Sequence, residues 1–133
     1  MNATVSDLTK PVTLTKRDEE NSLPTIGILC LGAMGPSIAT RLINCGYRVT
    51  TWSNNGQIGR PIPNSTQRAT PAEVTSEAKV IMAFLKDGPV SKHVLMSHQG
   101  AINSLDSNKS NLDFTTMDPG TADDMAAAIR QAF

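Results

Sequence analysis

The chain has 133 residues, of which 39% are hydrophobic, and its 12 basic side chains balance its 12 acidic ones. This length suits one domain, and a neutral balance provides no overall field to attract nucleic acid or an acidic membrane surface. No apolar run is long enough to span a bilayer, so we expect neither partner.

Two parts of different composition are apparent. Residues 1–24 are polar, with a charged cluster at Lys16–Glu20, and predict a flexible leader without a secretory signal. Residues 25–133 hold the apolar runs and predict the folded domain. Cys30 and Cys45 fall at apolar positions, which favours buried free thiols over a disulfide and a reducing cytoplasm.

The segment 25–53 organises the domain. It predicts a buried strand, a tight turn with Gly32 and Gly35, a helix and a second strand. Such a turn presents backbone N–H groups and a positive helix end to a pyrophosphate. However, Cys30 stands where the G-x-G-x-x-G fingerprint has its first glycine. The alternative is that the glycines serve packing only.

The rest of the chain alternates helices with short apolar strands. We predict a loop after residue 53 with one helical turn at 65–68 and a third strand lost or very short. The further predictions are helices at 70–77, 89–96 and 121–133, a helical turn at 101–105, and strands at 79–85 and 112–116. Thr70 and Thr121 are the predicted helix caps. This alternation predicts an α/β fold, a Rossmann-type doubly wound parallel sheet of order 2-1-4-5, incomplete at its carboxyl terminus.

Four blocks in register carry a family resemblance. Ile-Gly-Ile-Leu-Cys-Leu-Gly-Ala-Met-Gly at 26–35 is similar to I-G-F-I-G-L-G-x-M-G. The blocks at 46–53, 70–89 and 112–121 are similar to G-Y-x-V-x-V-W-N, to S-P-A-E-V with the strand A-D-V-V-I-x-x-L-P-D that follows it, and to D-x-S-T-x-x-P-x-x-S/T. Together they resemble the N-terminal NAD(P)-binding domain of the β-hydroxyacid dehydrogenase superfamily. This superfamily includes 3-hydroxyisobutyrate and 6-phosphogluconate dehydrogenases and the related imine reductases.

The resemblance implies a cofactor site along the carboxyl edge of the sheet. Its residues would bind the pyrophosphate, the adenosine ribose or the nicotinamide ribose: Gly32, Ala33, Met34, Gly35, Ser53, Asn54, Asn55, Leu85, Lys86 and Thr116. Members that prefer NAD place an acid at the position of Ser53, and members that prefer NADP often place an arginine at that of Asn54. Because Ser53 cannot repel a 2′-phosphate and can donate a hydrogen bond, we favour NADP, with NAD as the alternative.

The family's catalytic lysine segment and its all-helical dimerisation domain match nothing in these residues. Lys86 is nearest the site, but it matches a proline position. We therefore expect cofactor binding with little or no catalysis by this chain alone, within an oxidoreductase family that transfers hydride to or from a small hydroxyacid, aldehyde or imine. The alternative is a non-catalytic dinucleotide-binding or interaction module. His93 and His98 are interpreted as surface residues, so no metal site is expected.

Overall fold

A computed structural model describes residues 23–30, 34–53 and 62–132. Five strands and four helices lie in these ranges, together with one 3-10 helix at Ala101–Ser104. The strands are β1 (Ile26–Cys30), β2 (Val49–Ser53), β3 (Thr66–Gln67), β4 (Val80–Phe84) and β5 (Ser110–Asp113). The helices are α1 (Met34–Asn44), α2 (Pro71–Glu77), α3 (Gly88–Met96) and α4 (Pro119–Gln131). None of these described helices has the length and apolar character needed to cross a membrane.

The strands form one parallel sheet in the order β3-β2-β1-β4-β5. The prediction of a Rossmann-type doubly wound α/β sheet is therefore confirmed, and the expected order 2-1-4-5 is extended at one edge by a very short β3. All five residues of β1 are buried. A central parallel strand is covered on both faces, which explains its nearly continuous apolar sequence.

Helices cover both faces of this sheet. On one face α1 packs with a core of buried residues: Ile26, Ile28, Cys30, Ala39, Val49 and Phe84. On the other face α2, α3 and α4 pack on a larger core: Leu29, Val74, Ala78, Ile81, Ala83, Leu85, Val94, Leu95, Ala101 and Met125. Alternate residues of β1 and β4 supply the two cores because successive strand side chains point to opposite faces.

The predicted start of α2 is confirmed in detail. The Thr70 side chain accepts a hydrogen bond of 3.2 Å from the backbone N–H of Glu73, and Pro71 occupies the first helical position. The Glu73 carboxylate accepts in turn from the Ala69 N–H at 3.1 Å. Local sequence is sufficient here because a capping box is made within a few residues.

Three element predictions were wrong. The predicted helical turn at 65–68 is instead β3, and the last strand spans Ser110–Asp113 rather than 112–116. Helix α4 begins at Pro119, so Asp118, and not Thr121, is its cap. The Asp118 carboxylate accepts from both the N–H and the hydroxyl of Thr121, which places the helix cap three residues earlier than predicted. Asp123 and Asp124 consequently lie beyond the first turn.

The cysteine prediction holds in part. Cys30 and Cys45 are both free, but only Cys30 is buried, whereas Cys45 is partly exposed. Residues 1–22 of the predicted leader and residues 54–61 of the predicted loop lie outside the described residues.

Candidate functional site: the carboxyl edge of the sheet

Three strand ends meet at one edge of the sheet. In the parallel register Cys30 lies opposite Ser53 on one side and opposite Phe84 on the other. Carboxyl ends of parallel strands are where open α/β sheets bind ligands. Six predicted site residues are described near this edge: Met34, Gly35, Ser53, Leu85, Lys86 and Thr116. The other four lie outside the described residues: Gly32, Ala33, Asn54 and Asn55.

Cys30 and Gly35 form a tight contact at the entrance of α1. A Cβ atom at Gly35 would lie 2.3 Å from the Cys30 Cβ and 2.9 Å from its Sγ, so position 35 has no room for a side chain. The cysteine that replaces the fingerprint's first glycine is therefore accommodated by a glycine five residues later. Sequence reasoning identified Cys30 as a departure but missed this compensation.

The Cys30 thiol is not poised as a nucleophile. Its residue is 4% exposed, and burial raises the pKa of the thiol above its ordinary value. A thiol with a raised pKa stays protonated at neutral pH, and the thiolate is the reactive form. We therefore interpret Cys30 as a packing residue of the turn.

The amino end of α1 favours an anion. Its first turn contains no acidic residue, and its last turn carries Arg41. The helix macrodipole places partial positive charge at this end, together with backbone N–H groups that lack intrahelical partners. Met34, the first residue of α1, is 64% exposed. This geometry fits a pyrophosphate.

Ser53 presents an unsatisfied hydroxyl at the end of β2. Its Oγ is buried and has no hydrogen-bond partner among the described residues. A buried hydroxyl without a partner costs about 1–3 kcal/mol, so an arriving acceptor oxygen would be stabilised there.

The loops after β4 and β5 are tied together. The Leu85 N–H donates to the Thr115 hydroxyl at 3.0 Å, and the Thr115 N–H donates to the Asp113 carboxylate at 2.8 Å. Asp113 also accepts from the hydroxyl of Ser91, a buried residue of α3. Leu85 itself belongs to the core, whereas Lys86 and Thr116 are exposed at this edge. Sequence reasoning missed Ser91, since no local pattern reports a contact 22 residues away.

Asp87 and Asp113 both accept hydrogen bonds that hold the loops and helices at this edge. Asp87 is the cap of α3, because its carboxylate accepts from the Val90 N–H at 3.0 Å. Next to it, a Cβ at Gly88 would lie 3.0 Å from the Cβ of Met117, so the loop before α4 packs directly on the start of α3. These contacts fix the shape of the edge where the resemblance places the nicotinamide.

The side chains that could ligate a metal are dispersed in the part of the chain described. No group of three His, Cys, Asp or Glu side chains there is arranged to hold a metal ion. His93 and His98 are both exposed, in agreement with their interpretation as surface residues.

Curated relatives of this chain share a name. It is 31% identical over 122 residues to the cytokine-like nuclear factor N-PAC of Drosophila melanogaster, covering 90% of this chain and 20% of the relative. The Homo sapiens protein of that name is 29% identical over 106 residues, covering 78% of this chain and 19% of the relative. The chain thus spans about a fifth of the length of these relatives.

Solved structures share the fold. A Mycobacterium tuberculosis 3-hydroxyisobutyrate dehydrogenase superposes with a TM-score of 0.73 at 19% identity, over 83% of this chain and 38% of that one. An imine reductase from Myxococcus stipitatus, in complex with NADP+, gives 0.72 at 20% identity, over 82% and 38%. A variant of the same reductase in complex with NAD+ gives 0.73 at 20% identity, over 83% and 38%.

One family model spans the whole described domain. It matches residues 25–132, the same segment that carries the four sequence blocks, the parallel sheet and the carboxyl-edge site. The chain therefore belongs to the family of the NAD binding domain of 6-phosphogluconate dehydrogenase.

Proposed function

We propose that this chain binds NADP(H) in preference to NAD(H), as the cofactor domain of a hydroxyacid dehydrogenase-type oxidoreductase. The observation that supports it is the Ser53 hydroxyl, which is buried at the end of β2 without a partner among the described residues. A carboxylate at this position would repel a 2′-phosphate, whereas a hydroxyl donates a hydrogen bond to it.

Each of the other predicted site residues would contact a different part of the cofactor. The amino end of α1, with Met34 and Gly35, would face the pyrophosphate, and the family resemblance adds Gly32 and Ala33 to this part of the site. Leu85 and Lys86 would line the nicotinamide side, and the exposed Thr116 hydroxyl would reach the nicotinamide ribose. Asn54 and Asn55 would add amide donors beside Ser53. The cofactor supplies the hydride, and this chain's residues hold and orient it.

The test measures the affinities of NADPH and NADH for the native chain and for one variant at Ser53. Trp52 is the only tryptophan of the chain and precedes Ser53, so its fluorescence reports binding at this edge. We expect tighter NADPH than NADH binding in the native chain. Ser53→Asp should weaken NADPH binding by about tenfold or more, the cost of placing a carboxylate beside a phosphate, and should spare or improve NADH binding.

Ser107→Asp is the matched control. Ser107 is an exposed turn residue before β5, at the opposite end of the sheet, so the same added charge should leave both affinities unchanged. Tighter NADH binding in the native chain would overturn the NADP preference. Absence of binding for both cofactors would overturn dinucleotide binding by this chain.

The second candidate is a dinucleotide-binding or interaction module without turnover. It is supported by the N-PAC relatives, which are named nuclear factors. Incubating the chain with NADPH and panels of small aldehydes and imines distinguishes the two. Retained binding without NADPH oxidation would favour the module, and substrate-dependent oxidation would favour the enzyme.

We also infer a cytoplasmic location, with neither nucleic acid nor membrane as a partner. The two free cysteines suit a reducing compartment, and the balanced charge gives no general attraction to nucleic acid. Family members form homo-oligomers through their all-helical dimerisation domain, and we expect the same wherever this domain is joined to the chain. Imaging of the tagged protein tests the location, and accumulation in the nucleus, as the name of its relatives suggests, would refute it.

A further inference from the structure

A second cleft lies at the opposite edge of the sheet. It has a volume of about 480 Å³, within the size range of small-molecule sites. Its lining comes from the amino ends of β1 and β2, from residues in and beside β3, and from the end of α2: Thr25, Arg48, Val49, Thr50, Asn64, Thr66, Arg68 and Glu77. Neither the family resemblance nor the dinucleotide proposal makes use of these residues.

Thr50 gives the cleft an unsatisfied donor. The residue is 4% exposed, and its Oγ1 is buried without a hydrogen-bond partner in the part of the chain described. Thr66 of β3 pairs with Thr50 in the parallel register, so the two side chains leave the sheet on the same face. A buried hydroxyl that lines a cleft and has no partner favours a ligand that accepts a hydrogen bond.

The charged residues of the cleft favour an anion. The Arg68 guanidinium pairs with the Glu77 carboxylate at 2.7 Å. Arg48 is exposed and makes no ion pair within the described ranges. The cleft lining therefore holds two arginines and one glutamate, which leaves one net positive charge. Asn64, held in the left-handed conformation at φ 65°, adds an amide to the same rim.

We propose that this amino-edge cleft binds the phosphate group of a small organic phosphate. Guanidinium groups form paired hydrogen bonds with phosphate oxygens, and the Thr50 hydroxyl supplies a donor from the cleft wall. Three terminal oxygens of a phosphate monoester can use these donors together, whereas a carboxylate has two. The space beyond the phosphate accommodates the organic portion of the ligand.

The location makes this site separable from the cofactor site. The two edges are separated by the length of a five-residue strand, about 16 Å at the usual rise per residue. A ligand in the amino-edge cleft should therefore bind equally well in the presence of saturating NADPH. If NADPH displaced it, the ligand would be binding at the carboxyl edge and the proposal would be overturned.

The experiment is an NMR titration of the whole chain with glycerol 3-phosphate, in parallel with succinate and uncharged glycerol. We expect glycerol 3-phosphate to shift the amide resonances of Thr50 and Thr66, and to bind more tightly than succinate. Glycerol should cause no shift. No shift with glycerol 3-phosphate at millimolar concentration, or equally tight binding of succinate, would refute an organic phosphate as the ligand.

Two variants assign the donors. Arg48→Gln, at an exposed position, should weaken glycerol 3-phosphate binding by about fivefold or more, as expected for loss of a charged hydrogen-bond donor. Arg130→Gln in α4 removes the same charge away from the cleft and should leave binding unchanged. Thr50→Val keeps the shape of the side chain and removes the hydroxyl, so it should weaken binding without lowering thermal stability. Equal affinities for Arg48→Gln and the native chain would contradict the assignment.

Discussion

Gly35→Ala tests whether the contact with Cys30 shapes the cofactor turn. The added Cβ would lie 2.3 Å from the Cys30 Cβ, whereas nonbonded carbon atoms rest about 3.5–4.0 Å apart. The end of β1 and the start of α1 must therefore separate by more than about 1 Å. Overpacking of this kind costs about 1–3 kcal/mol. Replacing glycine by alanine within a helix stabilises the folded chain by about 0.5–1 kcal/mol, because alanine has the higher helix propensity.

The balance predicts that Gly35→Ala lowers the free energy of unfolding by about 1–2 kcal/mol when Cys30 is present. In a Cys30→Gly background the obstructing Cβ and Sγ atoms are absent, so the same change should instead stabilise by up to about 1 kcal/mol. Urea unfolding of the native chain, both single variants and the double variant gives the coupling between the two positions.

The sign of the coupling decides the outcome. If Gly35→Ala has the same effect with and without Cys30, the cysteine does not limit the space at position 35, and our explanation of the altered fingerprint fails. A functional prediction accompanies the stability one. Because the separation moves the start of α1, Gly35→Ala should also weaken NADPH binding, and the double variant should recover it.

Three further outcomes follow from other contacts. Lys109→Met should destabilise the chain by about 1–2 kcal/mol, because the Lys109 Nζ donates to two carbonyl oxygens at the end of α2, at 2.8 and 2.7 Å. Hydrogen bonds from the Thr121 hydroxyl and then its N–H lower the pKa of the Asp118 carboxyl. Its stabilising contribution is therefore complete above the unfolded-state pKa and is lost as pH falls through the lower folded-state value. The Asp118→Asn variant keeps the cap but has no carboxylate to protonate. Its melting temperature should therefore fall less than that of the native chain over that acidic range. A thiol reagent at neutral pH should modify the partly exposed Cys45 faster than the buried Cys30, whose pKa is raised by burial.

Each of these outcomes has a control or a contrary result. Lys92→Met removes an ion pair whose lysine and Asp124 side chains are 42% and 65% exposed, and surface pairs contribute about 0–1 kcal/mol. Equal destabilisation by the two lysine substitutions would refute a special role for Lys109. If the melting temperatures of the native chain and Asp118→Asn fell equally with pH, the Asp118 contribution would be refuted. Faster modification of Cys30 would show that its thiol is accessible.

Local patterns in the sequence were sufficient for most of the sheet and its helices. The apolar run of β1 and the capping box before α2 each act within a few residues, so their structures were predictable without knowledge of the fold. The carboxyl edge was predictable for the same reason, since parallel strands joined by helices bring their carboxyl ends together.

Contacts between distant residues were decided by tertiary structure alone. Strand β3 is two exposed residues without a strand pattern, and it forms by pairing with β2. Directly after it, the Arg68 N–H donates to the Thr51 carbonyl at 2.8 Å. The contact of Ser91 with Asp113 and the reach of Lys109 to α2 join residues 22 and more than 30 positions apart.

At the two candidate sites as well, some features follow from the sequence and others only from the tertiary structure. The sequence alone predicted a glycine turn before a helix and determined that β2 is followed by no acid but ends in a serine. Only the folded chain buries the hydroxyls of Ser53 and Thr50 at opposite edges of the sheet and leaves both without partners among the described residues. Burial and hydrogen-bond satisfaction depend on what packs around an atom, and that is a property of the tertiary structure.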